Sequence, residues 1–416
     1  MIQPKNTGEL GMEVRKPASV EEAGEIIRRA AQARAAIFPF GNDSKRHIGF
    51  TPSKMGLRLN TLNLNRLVDY PARDMTVTVQ AGISMKLLRG ILAKEGQCLP
   101  VDDPCPDQST LGGMLAVNCN GPRRFGWGTL RDYVIGISVI NDEGKETKAG
   151  GRVVKNVAGY DFCKLHTGAL GTLGLISQVT LKVRPKPESS AMAVIGLNQK
   201  DLEPALDLVH GTATRPVSID ILNQAAVRHL KPDSSNASKD WTLLIGFEHN
   251  EKAVAWQCET LMEEVRQGLG RETQVIPKGK DQAIWESLAR FQAAPPADSQ
   301  ATFKINVAPA KVAAFATLID ETFPLCPVQA HAGSGILFGH VPGALPFAEV
   351  HRGIQSLLEK AKRSLGNLTI LHCHEDWKND LPVWGAPRDD LFLMRKVKES
   401  LDPMGLFNPG RFVDRI

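Results

Sequence analysis

The sequence predicts an α+β protein of more than one domain, and three observations carry that reading. At 416 residues the chain is longer than one ordinary domain, so two or three lobes with their own cores are expected. Residues 13–41 alternate strand, helix and strand as a βαβ unit does. Glycine-rich runs crowd the stretch before residue 184, whereas longer strand and helix alternations fill the stretch after it.

Composition narrows the class. Hydrophobic content of 42% and charged content of 23% are those of a soluble globular chain, and no apolar run approaches the roughly 20 residues that span a bilayer. The opening MIQPKNTGELGMEVRKP has no apolar core of signal-peptide length, so a cytoplasmic protein is expected. The seven cysteines, at 98, 105, 119, 163, 258, 326 and 373, form no C-x-x-C pair that would hold zinc or an iron–sulfur cluster, and read as reduced, mostly buried thiols. A net charge of +5, spread along the chain, lacks the concentrated basic footprint of a nucleic-acid binder.

Taken in order, EVRKP is a short strand and SVEEAGEIIRRAAQARA a helix whose Ser19 and Glu22 form a capping box; AIFPF is the next strand. The loop FGNDSKRHIG follows, where α/β folds bind ligands, and its residues read either as a nest for phosphate oxygens or as a solvated turn. GLRLNTLNLNRL and MTVTV continue a β pattern, and ISMKLLRGILAKE is an amphipathic helix with positions 83, 87, 88, 91 and 92 on one face. LPVDDPCPDQST is held extended by its prolines. The run STLGGMLAVNCNGPRRFGWGTLRDYVIGISVI is glycine-rich and then strand-like; its arginine pair suits phosphate or carboxylate, or a basic turn.

Between Gly150 and Ser177 six glycines alternate with Lys155, Asn156, Tyr160 and Asp161 ahead of the strand LISQVTLKV, which marks close backbone approach to a ligand or a hairpin with generous turns. RPKPESS, at 184–190, reads as a linker. Beyond it DLEPALDLVH, EKAVAWQCETLMEEVRQGL and AKVAAFATLIDETF read as helices, KDWTLLIGFEH and ATFKINV as strands, and together they suggest an α+β cap with an antiparallel sheet. The terminal PRDDLFLMRKVKESLDPMGLFNPGRF is a helix followed by two tight turns.

The loop at 41–49, GGMLAVNCNGPRR, KNVAGYD…GALGTLGLIS and DPMGLFNPGR, in that order, resemble the vanillyl-alcohol-oxidase superfamily of FAD-dependent oxidoreductases. The nearest branch is similar to the FAD-binding subunits of bacterial glycolate oxidases; the likeness is dense over 13–187, thin over 188–390, and returns at 391–412. No Rossmann G-x-G-x-x-G follows a strand. The resemblance implies a PCMH-type FAD-binding domain of two subdomains, about 1–67 and 68–187, a cap or subunit-interface domain at 188–390, and a terminal helix and turn at 391–416 that returns to the FAD domain. By resemblance, Gly41, Asn42, Asp43, Ser44 and Lys45 contact the diphosphate, and Pro104, Ser109, Gly112 and Gly113 pass beside the flavin. Gly121, Arg123 and Asp132 shape the same channel, and Gly171, Thr172, Gly174 and Ile176 run along the adenosine half. Covalent attachment through His47 is not expected.

The implied activity is oxidation of glycolate or a related small 2-hydroxy acid by non-covalently held FAD, with electrons passed to a second flavoprotein subunit and an iron–sulfur subunit. That assembly would bring the chain to the inner face of a membrane through its partners. The superfamily's 2-hydroxy-acid dehydrogenases carry a segment like HAGDGNLH and a later EH pair that hold a divalent metal and the base. Here the corresponding stretches read HAGSGILF at 331–338 and HCHED at 372–376, so no metal site is expected. His331 and His374 remain catalytic candidates, and Arg290 in IWESLARF is a candidate carboxylate clamp or a surface helix residue. Two further readings stay open: a structural flavin-binding subunit with an eroded substrate site, and a free-standing FAD-linked alcohol oxidase.

Overall fold

A computed structural model describes residues 12–151, 160–230, 239–343 and 345–416. The βαβ expectation holds at its start. Strands Glu13–Arg15, Gly56–Asn60 and Ala36–Phe40 lie side by side in that order, all parallel. Helix Val20–Gln32 begins where Ser19 accepts the Glu22 amide, while the Glu22 carboxylate reaches back to the Ala18 amide, and it buries Ala23, Ile27 and Ala30. The C-terminus completes this unit. Ile37 exchanges backbone hydrogen bonds with Leu406 and Asn408, so the turn DPMGLFNPG docks beside strand Ala36–Phe40.

A second, antiparallel sheet has the order Leu67–Asp69, Thr76–Gln80, Leu175–Lys182, Val134–Ile140, Glu146–Gly150. Its strand Leu175–Lys182 is the sequence's LISQVTLKV, and helix Met85–Lys94 covers it, with Met85, Leu88 and Leu92 buried. Thr110 caps a short helix, Leu111–Val117, inside a run that reads only as glycine-rich. Lys155 and Asn156 lie outside the described residues.

The rest of the chain, as expected of a cap, forms one antiparallel sheet of eight strands with four helices on one face and the helices Gln224–Leu230 and Gln282–Arg290 on part of the other. Period-two alternation assigns the faces. Ala301, Phe303 and Ile305, Val328 and Ala330, and Ile219 and Ile221 enter the core beneath helices Leu202–His210, Glu251–Leu269, Val312–Thr322 and Phe347–Arg363. The intervening residues, Lys304, His331, Asp220 and Phe338, are thereby turned to the opposite face, which meets the glycine-rich half of the chain. The two halves are joined by a buried network: Arg123 bonds Asp102 at 2.7 Å and Glu248 at 2.7 Å, Trp127 donates to Glu248, and the guanidinium lies 3.9 Å over Trp285.

Candidate active site

The loop after strand Ala36–Phe40 is stitched to the proline-rich segment across the chain. Asn42 donates to the Gln108 carbonyl at 3.0 Å, and the Lys45 ammonium reaches the Ser109 hydroxyl at 2.9 Å, which in turn donates to Asp103. Asp43, at φ +60, pairs with Arg58. A Cβ on Gly41 would stand 2.6 Å from the Thr110 side chain, so the loop can approach the start of helix Leu111–Val117 only with glycine there. The amides of Asn42, Asp43, Ser44 and Lys45 donate to no described residue and remain available to a ligand.

Facing this loop across a cleft is the second face of the eight-stranded sheet, on which helices Gln224–Leu230 and Gln282–Arg290 also pack. The cleft is lined from below by Lys45, Pro104, Asn118 and Asn120, and from above by Lys304, His331, Ile336 and Phe338. Its lining includes the cations Lys45, Arg124 and Lys304 and, among the described residues, no carboxylate. Lys304 is partly open to the cleft and otherwise enclosed, with no hydrogen-bond or ion-pair partner among the described residues; burial pushes its pKa below the usual lysine value. His47 also lines the cleft, edge-on to His372 at 5.4 Å, and burial, then the His372 and Lys378 charges, hold it down at about 3. Cys105 and Cys119 line it as thiols: burial raises both, Cys119 to about 11.

His331 ends strand Val328–His331, and the turn back into Ile336–Val341 passes through Gly335 at φ +67, where a Cβ would lie 1.9 Å from the Val307 carbonyl. The His331 Nδ1 is 2.5 Å from Asp220 Oδ1, both side chains are buried, and Nε2 is left without a partner among the described residues.

Several residues singled out in the sequence lie elsewhere. Arg290 pairs with Asp107 at 3.4 Å on the rim of a separate cleft, because helix Gln282–Arg290 turns Trp285 and Leu288 inward and leaves Arg290 at its end. His374 is exposed and packs against Trp377 at 4.9 Å; its neighbour but one, His372, lies on the His47 side. The Arg123 guanidinium is committed to Asp102 and Glu248, and the Gly121 backbone packs against Asp102. Asp132 closes a capping box with Thr129. Gly112 donates its amide to Ala81 and Gly113 to the Thr110 hydroxyl, both within the fold. Thr172 donates to Ala169 while its carbonyl accepts from Lys398; Gly174 packs on Val139, Gly171 on Asn408, and Ile176 joins the core of the second sheet. None of these lines the cleft. Lys304 carries no motif; its only sequence signal is a cation interrupting the polar face of ATFKINV.

The chemistry of the lining suits a ligand with an anionic part and a planar part: Ser44 and Lys45 beside loop amides that donate to no described residue on one side, and Asn118, Asn120, Ile336 and Phe338 on the other. Comparison with known proteins agrees. Residues 13–150 match the FAD binding domain family, and residues 186–342 and 386–412 match the C-terminal domain of FAD linked oxidases. D-2-hydroxyglutarate dehydrogenase of Xanthomonas citri pv. viticola is 27% identical over 96% of this chain and 88% of its own. Glycolate oxidase subunit GlcD of Bacillus subtilis is 25% identical over 95% of this chain and 87% of its own. Glycolate oxidase subunit GlcE of Escherichia coli is 33% identical over 40% of this chain and 47% of its own. Among solved structures, 4-ethylphenol oxidase from Gulosibacter chungangensis superposes with a TM-score of 0.71 at 14% identity, covering 96% of this chain and 88% of that one. p-Cresol methylhydroxylase gives 0.70 at 12%, with the same coverage. With the FAD binding domain and the C-terminal domain of FAD linked oxidases accounting for the two halves of the sequence, and the fold shared with those oxidases, the chain belongs to these FAD-linked families and is an FAD-dependent oxidoreductase.

Proposed function

We propose that the protein oxidises a small 2-hydroxy acid, glycolate or a close relative, as the FAD-binding subunit of a multi-subunit oxidase or dehydrogenase. The observation that supports it is the Lys304 ammonium, without a partner among the described residues, in a cleft that His331 also lines and that has no carboxylate in its described lining. A 2-hydroxy acid needs a cation for its carboxylate, and Lys304 is a preformed one, with Arg124 adding positive charge beside it. FAD, when bound, supplies the acceptor for the two electrons removed from the carbinol carbon. The amides of residues 42–45 and Lys45 would hold its diphosphate, and Pro104, Asn118 and Asn120 would flank its ring. Phe338 and Ile336 keep water from the wall opposite.

The relatives named as glycolate oxidase subunits support a complex, in which a second flavoprotein subunit and an iron–sulfur subunit carry electrons onward. Residues 188–390 then act as the substrate-covering and partner-facing domain. No described helix is long and apolar enough to cross a membrane; the partner subunits would bring the chain to the inner face of a membrane. Anaerobic addition of glycolate, D-lactate or D-2-hydroxyglutarate to the FAD-loaded chain, alone and with its partner subunits, is the test. Bleaching of the flavin absorbance is expected. Flavin that stays oxidised with every acid in both settings would leave the chain a structural flavin carrier.

A further inference from the structure

The superfamily's 2-hydroxy-acid dehydrogenases, by resemblance, remove the hydroxyl proton beside a divalent metal. The donors present here do not fit one. Of the aspartate and the two histidines in the HAGDGNLH pattern only the first histidine survives; the aspartate position is Ser334 and the second histidine is Phe338, whose ring meets His331 edge-on at 5.4 Å. Among the described residues no group of three or more His, Cys, Asp or Glu side chains could hold a metal ion. A lone imidazole is a poor metal site, and this one has a different neighbour.

Asp220 and His331 are directly opposite each other on adjacent antiparallel strands, on the same face of the sheet. The carboxylate Oδ1 lies 2.5 Å from Nδ1, and Asp220 is fully buried. That contact fixes the ring: with Nδ1 turned to Asp220, Nε2 is the nitrogen left for the cleft, and it is buried without a partner among the described residues. The next row of the sheet on the same face holds Gln329, Phe338 and Lys304, so the cation stands one row and two strands from the imidazole, with Phe338 on the strand between them. A carboxylate that holds one nitrogen of an imidazole and leaves the other unpaired at the wall of a cleft is the arrangement by which a protein makes a base without metal.

We infer that His331 and Asp220 form a metal-independent proton-accepting dyad, with His331 as the catalytic base toward the substrate hydroxyl and Asp220 as its positioning residue. The inference rests on the 2-hydroxy-acid reading above. The step balances: the O–H bond breaks with its proton going to Nε2, the Cα–H bond breaks with its electron pair going to the FAD acceptor, and the C–O single bond becomes the carbonyl of a 2-oxo acid. Asp220 gains no proton; it keeps Nδ1 as the donor and stabilises the imidazolium.

The test uses the full FAD-loaded chain labelled with ¹⁵N-histidine, in parallel with kinetics. In the resting protein His331 is expected as a single tautomer protonated at Nδ1, converted to a mixture in Asp220→Asn. Glycolate or D-lactate is expected to shift the Nε2 resonance. Asp220→Asn is expected to lower kcat by about 10²-fold to 10³-fold with KM changed less than about threefold, and turnover of the wild type is expected to survive exhaustive chelation. A stoichiometric divalent metal whose removal abolishes turnover, and whose return restores it, overturns the dyad. So does an Nδ1-protonated tautomer that persists in Asp220→Asn, or an Nε2 resonance unmoved by any of the acids. An Nε2 shift with the flavin still oxidised sinks the redox reading and not the contact, so the two failures are distinguishable.

Discussion

Lys304 shows what a single residue can cost and supply. An ammonium without a counter-ion inside protein is destabilising, and it persists where a ligand offers the missing anion. Replacing it with methionine, of similar length, removes the desolvation cost and the carboxylate contact together. Lys304→Met is therefore expected to melt no lower than the wild type while kcat/KM for the 2-hydroxy acid falls by about 10-fold to 10²-fold, read from thermal unfolding and steady-state kinetics on the same preparation. A lower melting temperature with unchanged kcat/KM would make Lys304 a packing residue. Neither Lys304 nor Asp220 was legible in the sequence. Both sit on strands whose period-two pattern reads simply as one apolar and one polar face, and only the order of strands in the sheet brings Asp220, from 218–223, beside His331, from 328–331. His331 itself was legible because a motif surrounds it; Arg290 and His374, singled out in the same way, face outward because helix phase and a turn, not motif proximity, decide direction.

At the scale of elements, the motifs and their order were visible and the reason for their glycines was only half visible. The glycines at 41, 112 and 113 announce close approach, yet what approaches them is first of all the protein. Gly41 abuts Thr110, Gly112 abuts Ala81, and the short helix Leu111–Val117, hidden by its own glycines, is capped by the same Thr110. The loop after Phe40 and that helix start are thus one unit. Gly41→Val should push Thr110 away, unseat the cap at a cost of about 1 kcal/mol and displace the Asn42–Lys45 amides. The expected outcome is a folded protein with little FAD, since the eight-stranded sheet and its helix layer lie on the other side of the cleft; flavin-to-protein ratio together with circular dichroism reads both parts. Stoichiometric flavin in that variant would show that the loop does not hold the diphosphate.

Across the whole molecule, buried histidines in both halves must stay neutral, and this gives the fold a dependence on acid. His47, on the cleft, is held at about 3, His340, buried against Phe291, at about 3, and His166 in the glycine-rich half at about 4, in each case chiefly by burial. The ordinary imidazole value is near 6.5, so between about 6.5 and 4 the unfolded chain takes up protons that the folded chain refuses. Stability from these groups is complete above about 6.5 and falls as the pH falls, with a slope of about 1.4 kcal/mol per pH unit for each histidine. By pH 5 each has cost about 2 kcal/mol. Urea unfolding at pH 7 and pH 5 should therefore show a marked drop in midpoint. His166→Phe should remove about a third of that drop: His166 is the one of the three whose shift comes from burial alone, and its ring stacks on Phe162 at 6.4 Å, a contact that phenylalanine can keep. An equal loss of stability in His166→Phe and wild type between these two pH values would place the acid sensitivity in carboxylates, with Asp102 and Glu248 around Arg123 the next groups to replace.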